Sequence, residues 1–98
     1  MKTDTSPTLT VFRKFSDGEI IALFPCVPHD RSGLSCVSYM HVGQHGAAST
    51  DVVRITKPAS QSEYTPLARE LERIGYRLQI RQRIPANAYQ LRRDAATL

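Results

Sequence analysis

Tyr39, His41, Gln44 and His45 form the densest run of chemically capable side chains in the sequence. A phenol, two imidazoles and an amide can donate, accept and relay protons near neutral pH. They stand where an apolar alternation runs out into a glycine-containing loop, the kind of place where a rigid scaffold displays binding groups. The same residues have a structural use, with Tyr39 and His41 packed under a helix or over a sheet face and Gln44 and His45 bonding the turn. That use outweighs the chemical one, because imidazoles near cores are commonly structural. A zinc site can be drawn from Cys26, Cys36, His41 and His45, with His29 as a substitute ligand. The ligand types suit zinc, but the close Cys-x-x-Cys pair of common zinc modules is missing, so no metal is expected. No nucleophile elbow, phosphate loop or paired-carboxylate pattern is present; no cofactor is expected, and an enzyme is the lesser reading.

A second group is cationic. Residues 76–98 hold Arg77, Arg81, Arg83, Arg92 and Arg93 against the single acid Asp94, while residues 1–75 hold eight basic and eight acidic side chains. The net charge of +4 is therefore local to the C-terminal segment. On an extended strand alternate side chains repeat about every 7 Å, so Arg77, Gln79, Arg81 and Arg83 form a row of donors, and Arg92 and Arg93 extend it. Arginine forks match phosphate and carboxylate oxygens. A solvated sheet face explains the same row equally well, since arginine also guards an edge strand against aggregation. Of the region's aromatic residues, Tyr76 falls on the apolar side and Tyr89 stands apart. Contacts to a nucleic acid would thus be to its backbone, with weak sequence preference. An acidic protein is the other partner this charge fits.

The elements that must carry these groups follow from periodicity. Thr8 to Phe15 and Glu19 to Phe24 flank Ser16-Asp17-Gly18, a hairpin signal. A two-residue Asp17-Gly18 loop would set Phe15 opposite Ile20 and Val11 opposite Phe24. One face would then hold Leu9, Val11, Phe15, Ile20, Ala22 and Phe24 as the core side, with Arg13 near its edge and Phe12, Ile21 and Leu23 pointing away. A second strand apolar on both faces belongs in the middle of a sheet. Pro25 to Gly33 reads as a loop. Leu34 to Val42 alternates again, with Cys36, Ser38, Met40 and Val42 on one side and Val37, Tyr39 and His41 on the other. Gly43 through Thr50 reads as a second loop or the approach to a short helical turn. In Asp51 to Thr56, Val52, Val53 and Ile55 favour a strand, whereas Asp51 after Ser49-Thr50 resembles a helix N-terminus, and a short helical turn is the reading taken. Ser60-Gln61-Ser62-Glu63 is a capping box that starts a helix near Gln61. Tyr64, Leu67, Ala68, Leu71 and Ile74 give it one apolar stripe, and Gly75 a left-handed cap. Pro66 is awkward inside it and leaves its start open by several residues. Tyr76, Leu78 and Ile80 alternate with Arg77, Gln79 and Arg81 as a final strand, ended by Ile84-Pro85.

The stretches Glu19 to Pro25, Ser38-Tyr39-Met40-His41-Val42-Gly43-Gln44-His45, Thr56-Lys57-Pro58-Ala59 and Glu63-Tyr64 through Gly75-Tyr76 together resemble a group of small bacterial proteins often encoded on plasmids, phages or integrated elements. The resemblance covers roughly residues 10 to 84, and the Tyr39 to His45 string is its most specific part. It implies a bacterial origin and a mobile-element setting, and brings no established activity with it.

At 98 residues, 41 % hydrophobic and 22 % charged, the chain has the scale of one sheet with one or two helices. The expected fold is a single α+β domain over residues 8–84, of order β-β-β-(short turn)-α-β. It has one antiparallel sheet and one long helix packed on one face. Residues 1–7 are expected to be flexible and 85–98 to form a basic tail or short helix. No apolar run suits a secretory signal or a membrane span, so a cytoplasmic setting is expected, with Cys26 and Cys36 free. Function is expected to be non-catalytic binding. The alternative is a small enzyme or metal protein built on Tyr39, His41, Gln44 and His45.

Overall fold

The computed structural model describes residues 7–41 and 44–96, with only the backbone described at Gln44. The expected flexible segment 1–7 falls almost wholly outside these residues, as do Val42 and Gly43. The fold is α+β: β1 (Thr8–Lys14), β2 (Ile20–Pro28), β3 (Cys36–Met40), β4 (Gln44–Ala48), a 3-10 helix (Thr50–Ile55), β5 (Lys57–Pro58), α1 (Gln61–Arg73), β6 (Leu78–Arg81) and α2 (Ala88–Ala96). The strands make one six-stranded sheet in the order β4-β3-β2-β1-β5, with β6 also on β1. All pairings are antiparallel except β1 with β6, which run parallel. The apolar second strand is interior, as expected.

The hairpin forms one residue out of the expected register. Val11 faces Leu23 and Lys14 faces Ile20. Phe15 N–H donates to the Glu19 carbonyl at 2.9 Å, and Gly18 N–H to the Phe15 carbonyl at 2.9 Å. The loop is thus the three residues Ser16-Asp17-Gly18, with one left-handed residue, Gly18 at φ +92°. A slip of one residue exchanges the faces of a strand. Phe12 therefore joins Ile20, Ala22 and Phe24, while Val11, Leu9 and Phe15 go to the other face with Ile21 and Leu23.

Both faces are covered. On the first, Phe12, Ala22, Phe24 and Tyr39 pack under Leu67, Ala68 and Leu71 of α1. On the second, Val11, Ile21, Leu23 and Cys36 pack with Val52 and Val53 of the 3-10 helix and Ile84. Arg13 fastens the 3-10 helix there by donating to Thr56 Oγ1 (3.0 Å), Val53 O (2.9 Å) and Thr56 O (2.7 Å). The short turn expected at 51–56 is this helix, capped by Ser49.

Ser60 caps α1 in the expected box, its amide donating to Glu63 Oε1 at 2.8 Å. Pro66 lies within the helix, and both it and Ser62 are exposed, so water can reach the Ser62 carbonyl that Pro66 has no N–H to serve. Gly75 has φ +113° beyond the C-cap Ile74. Two expected loops are partly strand. β2 runs to Pro28 through an irregular register between Phe24 and Pro28, and the Gln44–Ala48 stretch forms edge strand β4. The C-terminal segment is a helix, α2, packed against β2, with Ala88 buried. Among the described residues no helix is long and apolar enough to cross a membrane.

Candidate functional site

α1 crosses the first sheet face from β1 to β3. Its first turn reaches β1, where Glu63 pairs with Lys14, and its last reaches β3, where Glu70 meets Tyr39. The Glu70 carboxylate accepts from the Tyr39 hydroxyl at Oε2 and from His41 Nδ1 at 2.6 Å at Oε1. An ionised carboxylate only accepts, so Nδ1 of His41 is the donor in this pair. That leaves Nε2 on the far side of a ring whose side chain is 79 % exposed, whereas Glu70 is 16 % exposed. His45 stands opposite Tyr39 across the β3–β4 ladder, edge-on to its ring at 4.7 Å, and its Nε2 shares a hydrogen bond of 3.0 Å with the Tyr76 hydroxyl. Tyr76 in turn stacks on Phe24 at 4.9 Å. Burial pushes the Tyr76 phenol up from its usual 10.0, so it stays protonated near neutral pH.

Tyr39, His41 and His45 are thus brought together, but His45 sits on a strand rather than a loop; the Gln44 side chain lies outside the described residues. Glu70 and Tyr76 complete the cluster. Tyr76 falls on the apolar side of its strand as its alternation predicts, whereas Glu70 reads in sequence as one more charge on the wet side of the helix. Glu70 and Glu72 both neighbour Leu71 and lie on opposite flanks of the apolar stripe, so no pattern in the sequence sets one apart from the other.

The drawn zinc set is split by the sheet. Cys36 packs among Val11, Ile21 and Leu23, on the face opposite His45. Burial pushes the Cys36 and Cys26 thiols up, against a smaller opposing effect of the Arg92 charge, and both cysteines are free. Among the described residues no three His, Cys, Asp or Glu side chains converge on a point that could hold a metal ion.

The arginines divide. Arg77, Arg81, Arg83 and Arg93 are exposed. β6 ends at Arg81, so Arg83 stands in the bend that follows instead of in the row with Arg77, Gln79 and Arg81. Arg81 also donates to the Ile80 carbonyl at 3.1 Å, and Arg93 to the Tyr89 hydroxyl at 2.9 Å. Arg92 corrects the expectation. It is 3 % exposed and donates to the Gly33 carbonyl at 2.7 Å and the Pro25 carbonyl at 2.8 Å. α2 turns it inward to satisfy main-chain acceptors of β2 and the following loop, so it offers nothing to a partner.

Two grooves flank α1. One, of about 590 Å³, lies between α1 and the strand ends and is bordered by Ile20, Met40, His41, Leu67, Glu70 and Arg73. The other, of about 290 Å³, lies toward β6 and is bordered by Ser60, Gln61, Tyr64, Ile80, Arg81 and Gln82. No protein-family profile, curated protein or solved structure matches this chain.

Proposed function

We propose that this protein is a non-catalytic binding module whose β6 edge lies along the phosphate backbone of a nucleic acid. The observation that carries the reading is the exposure of Arg77, Arg81 and Arg83 along and just beyond an edge strand, in a segment with no acid from Arg73 to Arg93. The groove beside Arg81 has no carboxylate among its described lining residues, which favours an anionic visitor. Guanidinium forks suit phosphate oxygens, and the sparse exposed aromatics keep sequence preference weak. The free cysteines fit a cytoplasmic setting. The resemblance of the Tyr39 to His45 string supports an accessory role in a bacterial mobile element.

Titration of random-sequence DNA and RNA at low and moderate salt tests the proposal. The expected result is affinity that falls steeply with salt. Replacing Arg77, Arg81 and Arg83 by glutamine should reduce the slope of log affinity against log salt by about 0.7 to 0.9 for each phosphate that is no longer neutralised. Circular dichroism should stay unchanged, because all three side chains are exposed. No binding by the parent at low salt would overturn the nucleic-acid reading and leave an acidic protein as the partner to seek.

A further inference from the structure

The groove on the other flank of α1 carries a separate inference. It is built by one stripe of the helix, Glu63, Pro66, Leu67, Glu70 and Arg73, set against the strand ends at Glu19, Ile20, Met40 and His41. Two of its carboxylates are already engaged. Glu63 holds Lys14 and the Ser60 amide, and Glu70 holds Tyr39 and His41. These bonds fix the walls and leave Ile20, Pro66 and Leu67 as an apolar floor. The side chains of Glu19 and Arg73 border the same groove, and neither makes a hydrogen bond or ion pair with another described residue.

Glu19 begins the chain into β2, and Arg73 stands one helical turn beyond Glu70, which is tied to β3. Glu19 thus borders the groove from the sheet and Arg73 from the helix, so opposite charges stand on its two sides. A groove of about 590 Å³ has the size that takes a small-molecule ligand, which suits a peptide of two or three residues. We propose that this groove binds a short zwitterionic peptide with apolar side chains. Its ammonium end meets Glu19, its carboxylate end meets the Arg73 guanidinium, and its side chains lie on Ile20, Pro66 and Leu67. His41 borders the groove, and its outward Nε2 can hydrogen-bond the main chain of the peptide. Charge complementarity at both ends of an apolar floor decides for a zwitterion over an apolar molecule or a simple anion.

The test is a titration of the nitrogen-labelled protein with the tripeptide Ala-Leu-Ala, followed by its amide spectrum and the imidazole signals of His41. N-acetylated and C-amidated forms of the same peptide are the comparison. The free tripeptide should shift the signals of Ile20, Leu67 and His41 and leave those of β6 unchanged. Blocking either end should weaken binding about tenfold. Glu19→Gln should erase the penalty for acetylation and Arg73→Gln the penalty for amidation; both positions are exposed, and the spectra of unshifted residues report that the fold is kept. Absence of shifts at about 10 mM peptide would overturn the proposal. So would equal binding of free and blocked peptides, or an acetylation penalty that survives Glu19→Gln. None of these results bears on the arginine edge, whose test is the salt titration.

Discussion

Arg92 and Arg93 are neighbours of one type with opposite fates. Arg92 is buried on two carbonyls that have lost water, and removing it leaves both acceptors bare. Arg92→Ala should destabilise by about 2 to 4 kcal/mol in denaturant melts, and Arg92→Lys should restore less than half of that, because one ammonium cannot reproduce a planar fork. Arg93→Ala, on an exposed side chain, should cost under about 0.5 kcal/mol. Nothing in the dipeptide Arg92-Arg93 announces this difference; it depends on which way α2 rolls against β2. Glu63 is the converse case, a residue whose role is legible in its spacing from Ser60. The Lys14 ammonium, with the Ser60 amide and hydroxyl, holds its carboxyl at about 2 instead of the usual 4.5. Between those values the unfolded chain binds more protons than the folded one, so stability rises with pH. The contribution is complete above about pH 4.5 and is lost as pH falls toward 2. Melting temperature followed over that interval should fall less steeply with acid in Glu63→Gln than in the parent.

Elements whose signals are local were legible. The capping box, the apolar stripe and the Gly75 cap locate α1, with Pro66 inside it after all, and the alternation from Tyr76 locates the final strand, although β6 is shorter than that alternation, Leu78–Arg81. Leu71, fully buried beneath the stripe, packs with the cluster that contains Phe24 and Tyr39 and includes Ile20, whereas Ile80 stays 36 % exposed at the edge. Leu71→Ala should cost about 2 to 5 kcal/mol, measured by chemical denaturation. The hairpin shows where local signals run out. Asp17-Gly18 serves a two-residue loop or the end of a three-residue one, and only the second places Phe12 under α1 and Val11 against the 3-10 helix. A Cβ at Gly18 would meet nothing within 4 Å, so its φ of +92° alone sets the penalty. Gly18→Ala should therefore destabilise by about 1 kcal/mol without moving the register. β4 escaped notice because Gln-His-Gly-Ala-Ala has little intrinsic strand preference; it is a strand because β3 offers it a ladder. Gly46 there needs no special freedom, since a Cβ would sit 3.8 Å from Ser38 Oγ. Gly46→Ala should leave stability within about 0.5 kcal/mol.

At the scale of the molecule the sheet is covered on both sides. α1 covers one face, and the 3-10 helix and α2 serve the other. A sequence pattern cannot reveal this when strands apolar on both faces are short, and the expectation of one helix on one face accounts for only half of the core. Deleting residues 85–98 should accordingly lower the melting temperature and raise binding of a hydrophobic dye, because α2 and the Arg92 clamp go together. An unchanged melt would make α2 a mere appendage. The Tyr39, His41 and His45 cluster was visible as a string, but Glu70 joins it only through the crossing of α1 over β1 to β3. The parallel pairing of β1 with β6 has a consequence for synthesis. Thr8 to Val11 leave the ribosome some seventy residues ahead of their partners, Leu78 to Arg81. Until then the nascent chain carries a finished β1–β2 hairpin with one bare edge. That edge is the segment of the emerging protein most exposed to capture by a chaperone or by another nascent copy.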